Sequence, residues 1–154
     1  MYYQLLTIQA EGLQYIVHAD DSLITSLVQY YETNGDECKK VQAYYLMGRV
    51  YIGMNDAPQA LKAFREALDI PSIGLEMKKR IYGDMALLFS NQGLADDAIL
   101  INRQLLDIYR KQGNQQGMAV SQRAIARMFE QKAENDSAVY YYWEACHAAL
   151  AAKD

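Results

Sequence analysis

The sequence has few residues that interrupt helices and few that form covalent cross-links. Its 154 residues include two prolines and nine glycines, the residue types least tolerated inside a helix. Cys38 and Cys146 are the only cysteines; they are too few for a disulfide framework, and their spacing is not that of metal ligands. The scarcity of breakers predicts long helices, and we interpret both cysteines as packed thiols.

Positive charge is also scarce. Fifteen Lys and Arg stand against 19 Asp and Glu, which gives a formal net charge of −4, and no segment is rich in Lys or Arg. Because a nucleic-acid-binding protein needs a basic surface, we exclude nucleic acid as a partner.

Long hydrophobic runs are missing as well. No segment reaches the ~18 consecutive apolar residues of a membrane span, and the first residues lack the basic start and apolar centre of a signal peptide. We expect no membrane contact in this segment and a cytoplasmic location if the chain is complete. A periplasmic location is the alternative if the chain is a fragment of a secreted or anchored precursor.

What the sequence does contain is an internal repeat. An aromatic residue is followed nine positions later by a small or aliphatic residue, and the pattern continues four positions after that. The copies are Tyr51–Ala60–Phe64, Phe89–Ala98–Asn102, Phe129–Ala138–Tyr142 and a degenerate Tyr15–Ile24–Val28. Self-similarity at such intervals is typical of repeat architectures.

Each copy consists of two segments with helical periodicity, separated by polar turns rich in breakers. Between positions 41 and 54, apolar residues recur at Val41, Tyr44, Met47, Tyr51 and Met54, as on one face of a helix. The pattern predicts an all-α fold with eight helices, at about 2–13, 21–34, 38–54, 57–70, 76–91, 95–112, 116–131 and 135–151.

The second copy carries the most detailed pattern. Its characteristic positions are Tyr44, Met47, Gly48, Tyr51, Ala60, Phe64, Ala67 and Pro71. This succession resembles the tetratricopeptide repeat (TPR) family, with Pro71 one place before the proline that the family pattern expects. The later copies match less closely, since Asn102 and Leu105 stand in place of Phe and Ala in the third copy and Gln122 replaces the first aromatic residue in the fourth. The first copy matches only weakly.

The resemblance implies a right-handed α-α superhelix, a solenoid of about four TPR-like helix hairpins. Residues 1–154 would form a single domain with units at about 1–35, 38–71, 76–112 and 116–152. Small residues let the two helices of a hairpin approach closely, so we expect the close pairs to be Gly48 with Ala60, Ala86 with Ala98, and Ala126 with Ala138. Large residues such as Phe64 would fill the space between hairpins.

No group of residues has the composition of an active site. His18 lies in a predicted turn, and His147 follows Cys146 on a predicted helix. Adjacent helical residues point about 100° apart, which is a poor geometry for a nucleophile and its base. Glu144 and His147 share a face, but one pair is not a metal site. We therefore expect no enzyme, no cofactor and no metal.

The best candidate site is the groove that the resemblance implies. In TPR arrays the first helix of each hairpin lines a concave face. The matching exposed positions are Gln42, Tyr45, Arg49, Arg80, Leu87, Asn91, Arg123, Arg127 and Gln131. Four of them are arginines, whose guanidinium groups suit carboxylates, so we expect a protein or peptide partner and favour an acidic one. The alternative is that these arginines are only solvated or paired with neighbouring carboxylates.

Two functions fit this reading. One is a protein–protein interaction scaffold. The other is a sensory or regulatory segment of a larger bacterial signalling or transcription-regulating protein, because the repeats of this chain resemble those of bacterial multi-domain regulators. An attached helix-turn-helix, kinase or transmembrane segment would favour the second.

The last predicted helix adds a hypothesis about association. Its residues Val139, Trp143, Cys146 and Leu150 lie at helical spacing on the side where a next repeat would pack. Such an apolar stripe is an association surface. The chain would either self-associate through it or belong to a longer array.

Overall fold

The computed structural model describes residues 21–153, which form seven helices. They are α1 (Asp21–Asn34), α2 (Glu37–Gly53), α3 (Ala57–Leu68), α4 (Leu75–Asn91), α5 (Ala95–Lys111), α6 (Gln115–Gln131) and α7 (Asn135–Ala151). No strand occurs in this part of the chain, which confirms the all-α prediction for it. Each of the seven begins and ends within two residues of its predicted position. The predicted helix at 2–13 lies outside the described residues.

The chain divides into two compact units, one ending at Ile81 and the other beginning at Tyr82, within α4. In the first unit α1 packs against α2, and α2 packs against α3. In the second unit α5 packs against α6, and α6 packs against α7. Because short turns join these helices, each packed pair is a helix hairpin.

Four of the turns end the preceding helix in the same way. A residue with a left-handed backbone follows the helix, at Asn55 (φ 58°), Gly93 (φ 72°), Gly113 (φ 64°) and Ala133 (φ 57°). The amide of the next residue then donates to the carbonyl five residues earlier, with N···O distances of 2.8 to 2.9 Å. This bond satisfies a carbonyl that the helix end would otherwise leave unpaired.

Aspartates begin two of the helices of the first unit. Asp36 accepts a hydrogen bond from the amide of Lys39 at 3.0 Å and caps α2. Asp56 accepts one from the amide of Gln59 at 3.1 Å and caps α3. Pro58 lies in the first turn of α3, where its missing amide has no intrahelical partner to lose.

The close approach in the hairpin of α2 and α3 differs from the predicted one. We expected Phe64 to fill the space between hairpins. Instead the Phe64 ring lies directly on Gly48, where a Cβ atom would collide with it; the expected facing of Gly48 and Ala60 stays a prediction. Phe64 and Ala60 are both completely buried, so the glycine makes room for an aromatic ring inside its own hairpin.

Among the helices of residues 21–153, none combines the length and the apolar character that crossing a membrane requires.

Candidate functional site

The predicted site residues of the first unit lie mostly on α2. Gln42, Tyr45 and Arg49 are spaced three and four residues apart, share one face of the helix and are half-buried. Arg49 donates from Nη1 to the hydroxyl of Tyr45 at 3.2 Å, and the Tyr45 ring lies 6.1 Å from that of Phe64. This contact holds the guanidinium in place against the helix. Arg80, on α4, is exposed.

The predicted site residues of the second unit are all exposed. Leu87 and Asn91 lie four residues apart on α4. Arg123, Arg127 and Gln131 follow at successive intervals of four on α6, so their side chains occupy neighbouring turns of one face.

An open groove of about 590 Å³ runs between α6 and α7. The α6 side of this α6–α7 groove consists of Gln116, Ala119, Val120 and Arg123, and the α7 side consists of Tyr142, Ala145, Cys146 and Ala149, with Ala152 and Lys153 at its end. Four of the ten lining residues are alanines, and both charged ones are cations, in a chain whose net charge is −4. The groove therefore has a small-residue apolar floor and positive edges.

Two contacts fix α7 against α6 beside this groove: a stack of two aromatic rings and a hydrogen bond from a tyrosine to a carboxylate. The Tyr141 ring stacks on Phe129 with centroids 5.5 Å apart and planes 16° from parallel. The Tyr142 hydroxyl donates to Glu130 Oε2 at 2.9 Å, and this hydrogen bond raises the pKa of Tyr142 above its ordinary value. Tyr142 is thus neutral at physiological pH and stands as one wall of the groove.

Of the predicted partner-binding residues, only Arg123 lines this groove. Cys146 lines it too, but was predicted as part of the apolar stripe. Ala145, Ala149 and Ala152 are spaced four and three residues apart, which places them on one face of α7. Alanine is also the best helix former, so this spacing on its own does not distinguish a groove floor from an ordinary helix. The signal for the groove was the combination of these alanines with Ala119 and Val120 on the preceding helix.

The outer face of α7 carries the predicted apolar stripe. Val139 is 67% exposed, Trp143 is 58% exposed and Leu150 is 61% exposed. Cys146 is exposed too, as is Cys38, so the interpretation of both cysteines as packed thiols is wrong. Of the stripe, only Cys146 lines the α6–α7 groove; the two surfaces lie on adjacent sides of α7.

A smaller and more polar pocket of about 400 Å³ lies among α1, α2 and α3 in the first unit. Glu32, Lys62 and Glu66 contribute charged groups to its lining. The buried Tyr44 donates its hydroxyl hydrogen to Glu32. Burial, and then the contact with Glu32, raises the pKa of Tyr44 well above its ordinary value. Carboxylates of this kind disfavour an apolar ligand.

His147 is engaged within its own helix. Its ring centroid lies 3.9 Å from that of Trp143. No group of three or more His, Cys, Asp and Glu side chains within residues 21–153 has the arrangement of a metal site. His18 lies outside the described residues.

Comparison of the sequence with protein-family models and with curated proteins gives no match.

Proposed function

We propose that this protein is a protein–protein interaction scaffold: a right-handed, TPR-like solenoid in which α2, α4 and α6 line a concave face. Three observations support the solenoid. The helix bounds follow the repeated sequence pattern, four helices end in the same left-handed turn, and the predicted residues Arg80, Arg123 and Arg127 are exposed. A scaffold of this kind has no catalytic residue and no cofactor.

The α6–α7 groove is the observation that carries the binding proposal. Four of its ten lining residues are alanines, so a helix or extended segment can approach the backbone closely at those positions. Arg123 on one side and Lys153 at the end supply cationic edges. A guanidinium binds a carboxylate with directional hydrogen bonds. The partner that fits is a polypeptide segment with an apolar stripe flanked by Asp or Glu.

A phage-displayed library of short helical peptides tests this partner chemistry directly. Selection on the immobilised full chain should enrich peptides with apolar residues at intervals of three and four, flanked by carboxylates. Enrichment of basic or uncharged peptides would contradict the proposal.

A matched pair of variants then locates the binding site. Arg123→Glu reverses a charge of the groove, and Arg103→Glu makes the same change at an exposed position of α5 outside its lining. For a selected peptide we expect Arg123→Glu to weaken binding by about 1–3 kcal/mol, because an attraction becomes a repulsion. Arg103→Glu should bind as the parent does. Equal effects of the two variants would show that net charge, and not the groove, determines binding.

A further inference from the structure

The outer face of α7 exposes several large apolar side chains. The outer stripe, consisting of Val139, Trp143, Cys146 and Leu150, is exposed along its whole length. Tyr140, which is 57% exposed, flanks it. The interior contacts of α7 involve its opposite side, where Ala138, Ala145 and Ala148 are buried.

The spacing of the outer stripe is that of a helix-pairing seam. Its residues are separated by four, three and four positions, the alternation by which apolar residues stay on one side of two helices that wind around each other. The stripe also has a large member, Trp143, next to a small one, Cys146. Such alternation allows a knob on one helix to enter a hole on the other.

We propose that the outer stripe of α7 pairs with the same stripe of a second copy of this chain, with the two helices antiparallel and related by a two-fold axis. In one antiparallel register Trp143 faces Cys146 of the second copy, and Val139 faces Leu150 of the second copy. Each layer then joins a larger side chain to a smaller one. The same contacts occur twice, as two-fold symmetry requires.

Charges at the two ends of α7 select this orientation. Asp136 lies in the first turn of α7, and Lys153 lies just beyond its last residue. The antiparallel register described above also places Asp136 opposite Lys153 of the second copy. Both side chains are exposed. A parallel pair would instead set Asp136 against Asp136 and Lys153 against Lys153, which is repulsive.

The size of the surface suits a reversible dimer. With Tyr140 included, we estimate that pairing removes roughly 500 Å² per copy from water, compared with about 800 Å² per partner in a standard interface. Interfaces below the standard size belong to weak, transient complexes, so the association should be reversible and should appear only at micromolar concentrations or above. This association shares Cys146 and Lys153 with the lining of the α6–α7 groove, whereas Leu150 lies outside that lining. A variant at Leu150 therefore separates a failure of the dimer from a failure of the binding proposal.

Sedimentation velocity of the full chain tests the dimer under reducing conditions, which keep the two exposed cysteines from cross-linking. Across about 1 to 300 µM the parent should change from monomer to dimer. Trp143 is the only tryptophan, so its emission should shift to shorter wavelength over the same range. A monomer at all concentrations, with unchanged emission, would overturn the proposal.

Two exposed leucines supply the matched variants for locating the interface. Leu150→Asp places a charge in the outer stripe, and Leu100→Asp does the same on α5, where Leu100 is 56% exposed. Leu150→Asp should weaken dimerisation at least about tenfold, whereas Leu100→Asp should dimerise as the parent does. Circular dichroism confirms that both variants are folded. Equal dimerisation of the two variants would overturn the proposed interface.

A charge exchange tests the antiparallel orientation. Asp136→Lys and Lys153→Asp should each weaken the dimer about fivefold, and the double variant should return to within about twofold of the parent. A merely structural loss caused by Asp136→Lys at the helix start would not be rescued by changing Lys153. A double variant that is as weak as the single ones would overturn the antiparallel register.

Discussion

The aromatic residue four positions after the repeated alanine is completely buried in the hairpin of α2 and α3. In the hairpin of α6 and α7 the equivalent ring is half-exposed. The two rings belong to Phe64 and Tyr142. The residue that each ring would meet on the preceding helix also differs. It is Gly48 in the first hairpin and Ala126 in the second.

The contrast shows how a single methyl group can redirect an aromatic side chain. The Phe64 ring occupies the space that a Cβ at position 48 would need. Ala126 has that Cβ and is itself completely buried. We infer that the methyl group keeps the Tyr142 ring out of the interior, where it becomes a wall of the α6–α7 groove and its hydroxyl reaches Glu130.

A second difference concerns the polar residue one turn before Gly48 on α2 and one turn before Ala126 on α6. Tyr44 in α2 and Gln122 in α6 occupy equivalent repeat positions, and both are buried. Tyr44 bonds to Glu32, while Gln122 donates from Nε2 to Glu144 at 3.3 Å. The first hairpin therefore uses this position to build a polar pocket, and the second uses it to tie α6 to α7.

The largest effect is expected at Gly48. Gly48→Ala should lower the free energy of unfolding by about 1–2 kcal/mol, because the collision with Phe64 outweighs the ~1 kcal/mol that Ala otherwise gains in a helix. Gly83, inside α4, is the matched control, since a Cβ there meets no atom within 4 Å. Gly83→Ala should stabilise the protein by about 0.5–1 kcal/mol. Urea denaturation measures both changes, and two changes of the same sign would contradict the packing we describe.

The double variant Gly48→Ala with Phe64→Leu tests whether the ring is the cause. A smaller side chain at position 64 leaves room for the methyl group. The double variant should therefore lose less stability than the sum of the two single variants, by about 0.5–3 kcal/mol. Strict additivity would place the strain elsewhere.

The helices were predictable from the sequence, and their contacts were predictable only in part. Helix bounds follow from local chemistry, since Asp56 caps a helix and Asn55 adopts the left-handed turn before it. The spacing of Gly48 showed that something must approach closely, but it does not say which side chain does so. Both Ala60 and Phe64 lie on the facing helix, and only three-dimensional packing selects the ring.

The α6–α7 groove was harder to predict for a different reason. Alanine favours a helix whether or not it borders a groove. The presence of Ala145 and Ala149 in a helix therefore does not predict whether they are exposed. Arg123 was found because the resemblance assigns its position to an open face. The outer stripe was found because large apolar residues at helical spacing are informative wherever they occur, although Cys146 shows that apolar type does not establish burial.

An intermediate effect is expected at the turns that end α5 and α6. Gly113 and Ala133 both have a left-handed backbone, which is unfavourable for a residue with a Cβ by about 1–2 kcal/mol. Ala133→Gly should therefore raise the free energy of unfolding by about 1 kcal/mol, and Gly113→Ala should lower it by about the same amount. Thermal unfolding monitored by circular dichroism compares them, and a destabilised Ala133→Gly would contradict the turn geometry.

A smaller effect should appear when the second hairpin is made more like the first. Ala126→Gly alone should lower stability by about 1 kcal/mol, because glycine is a poor helix former. In the background of Tyr142→Phe the same change should lower it by about 0.5 kcal/mol less, since the ring can then enter the freed space. A double-mutant cycle in urea measures this coupling. A coupling of zero would show that the methyl group of Ala126 does not direct the ring.

The smallest expected effect is a dependence of stability on alkaline pH. Because the pKa of Tyr44 is raised in the folded protein, its neutral form persists at a pH where the unfolded chain ionises. The stabilisation is complete below about pH 10, the ordinary pKa of tyrosine, and is lost as pH rises above it. Urea midpoints measured from pH 9 to about pH 11 should fall more steeply for the parent than for Tyr44→Phe. Equal pH dependence of the parent and Tyr44→Phe would mean that Tyr44 has the same pKa in the folded and unfolded protein.

The central claim is that the α6–α7 groove is a binding site for an apolar segment flanked by carboxylates. A titration of the isotopically labelled chain with a selected acidic peptide, followed by amide chemical shifts in NMR, tests it most directly. We predict that the largest shifts occur at Ala119, Arg123, Ala145 and Ala149, with little change in α1, α2 and α3. Shifts concentrated in the first unit, or confined to Val139 and Leu150 on the outer stripe, would contradict the claim.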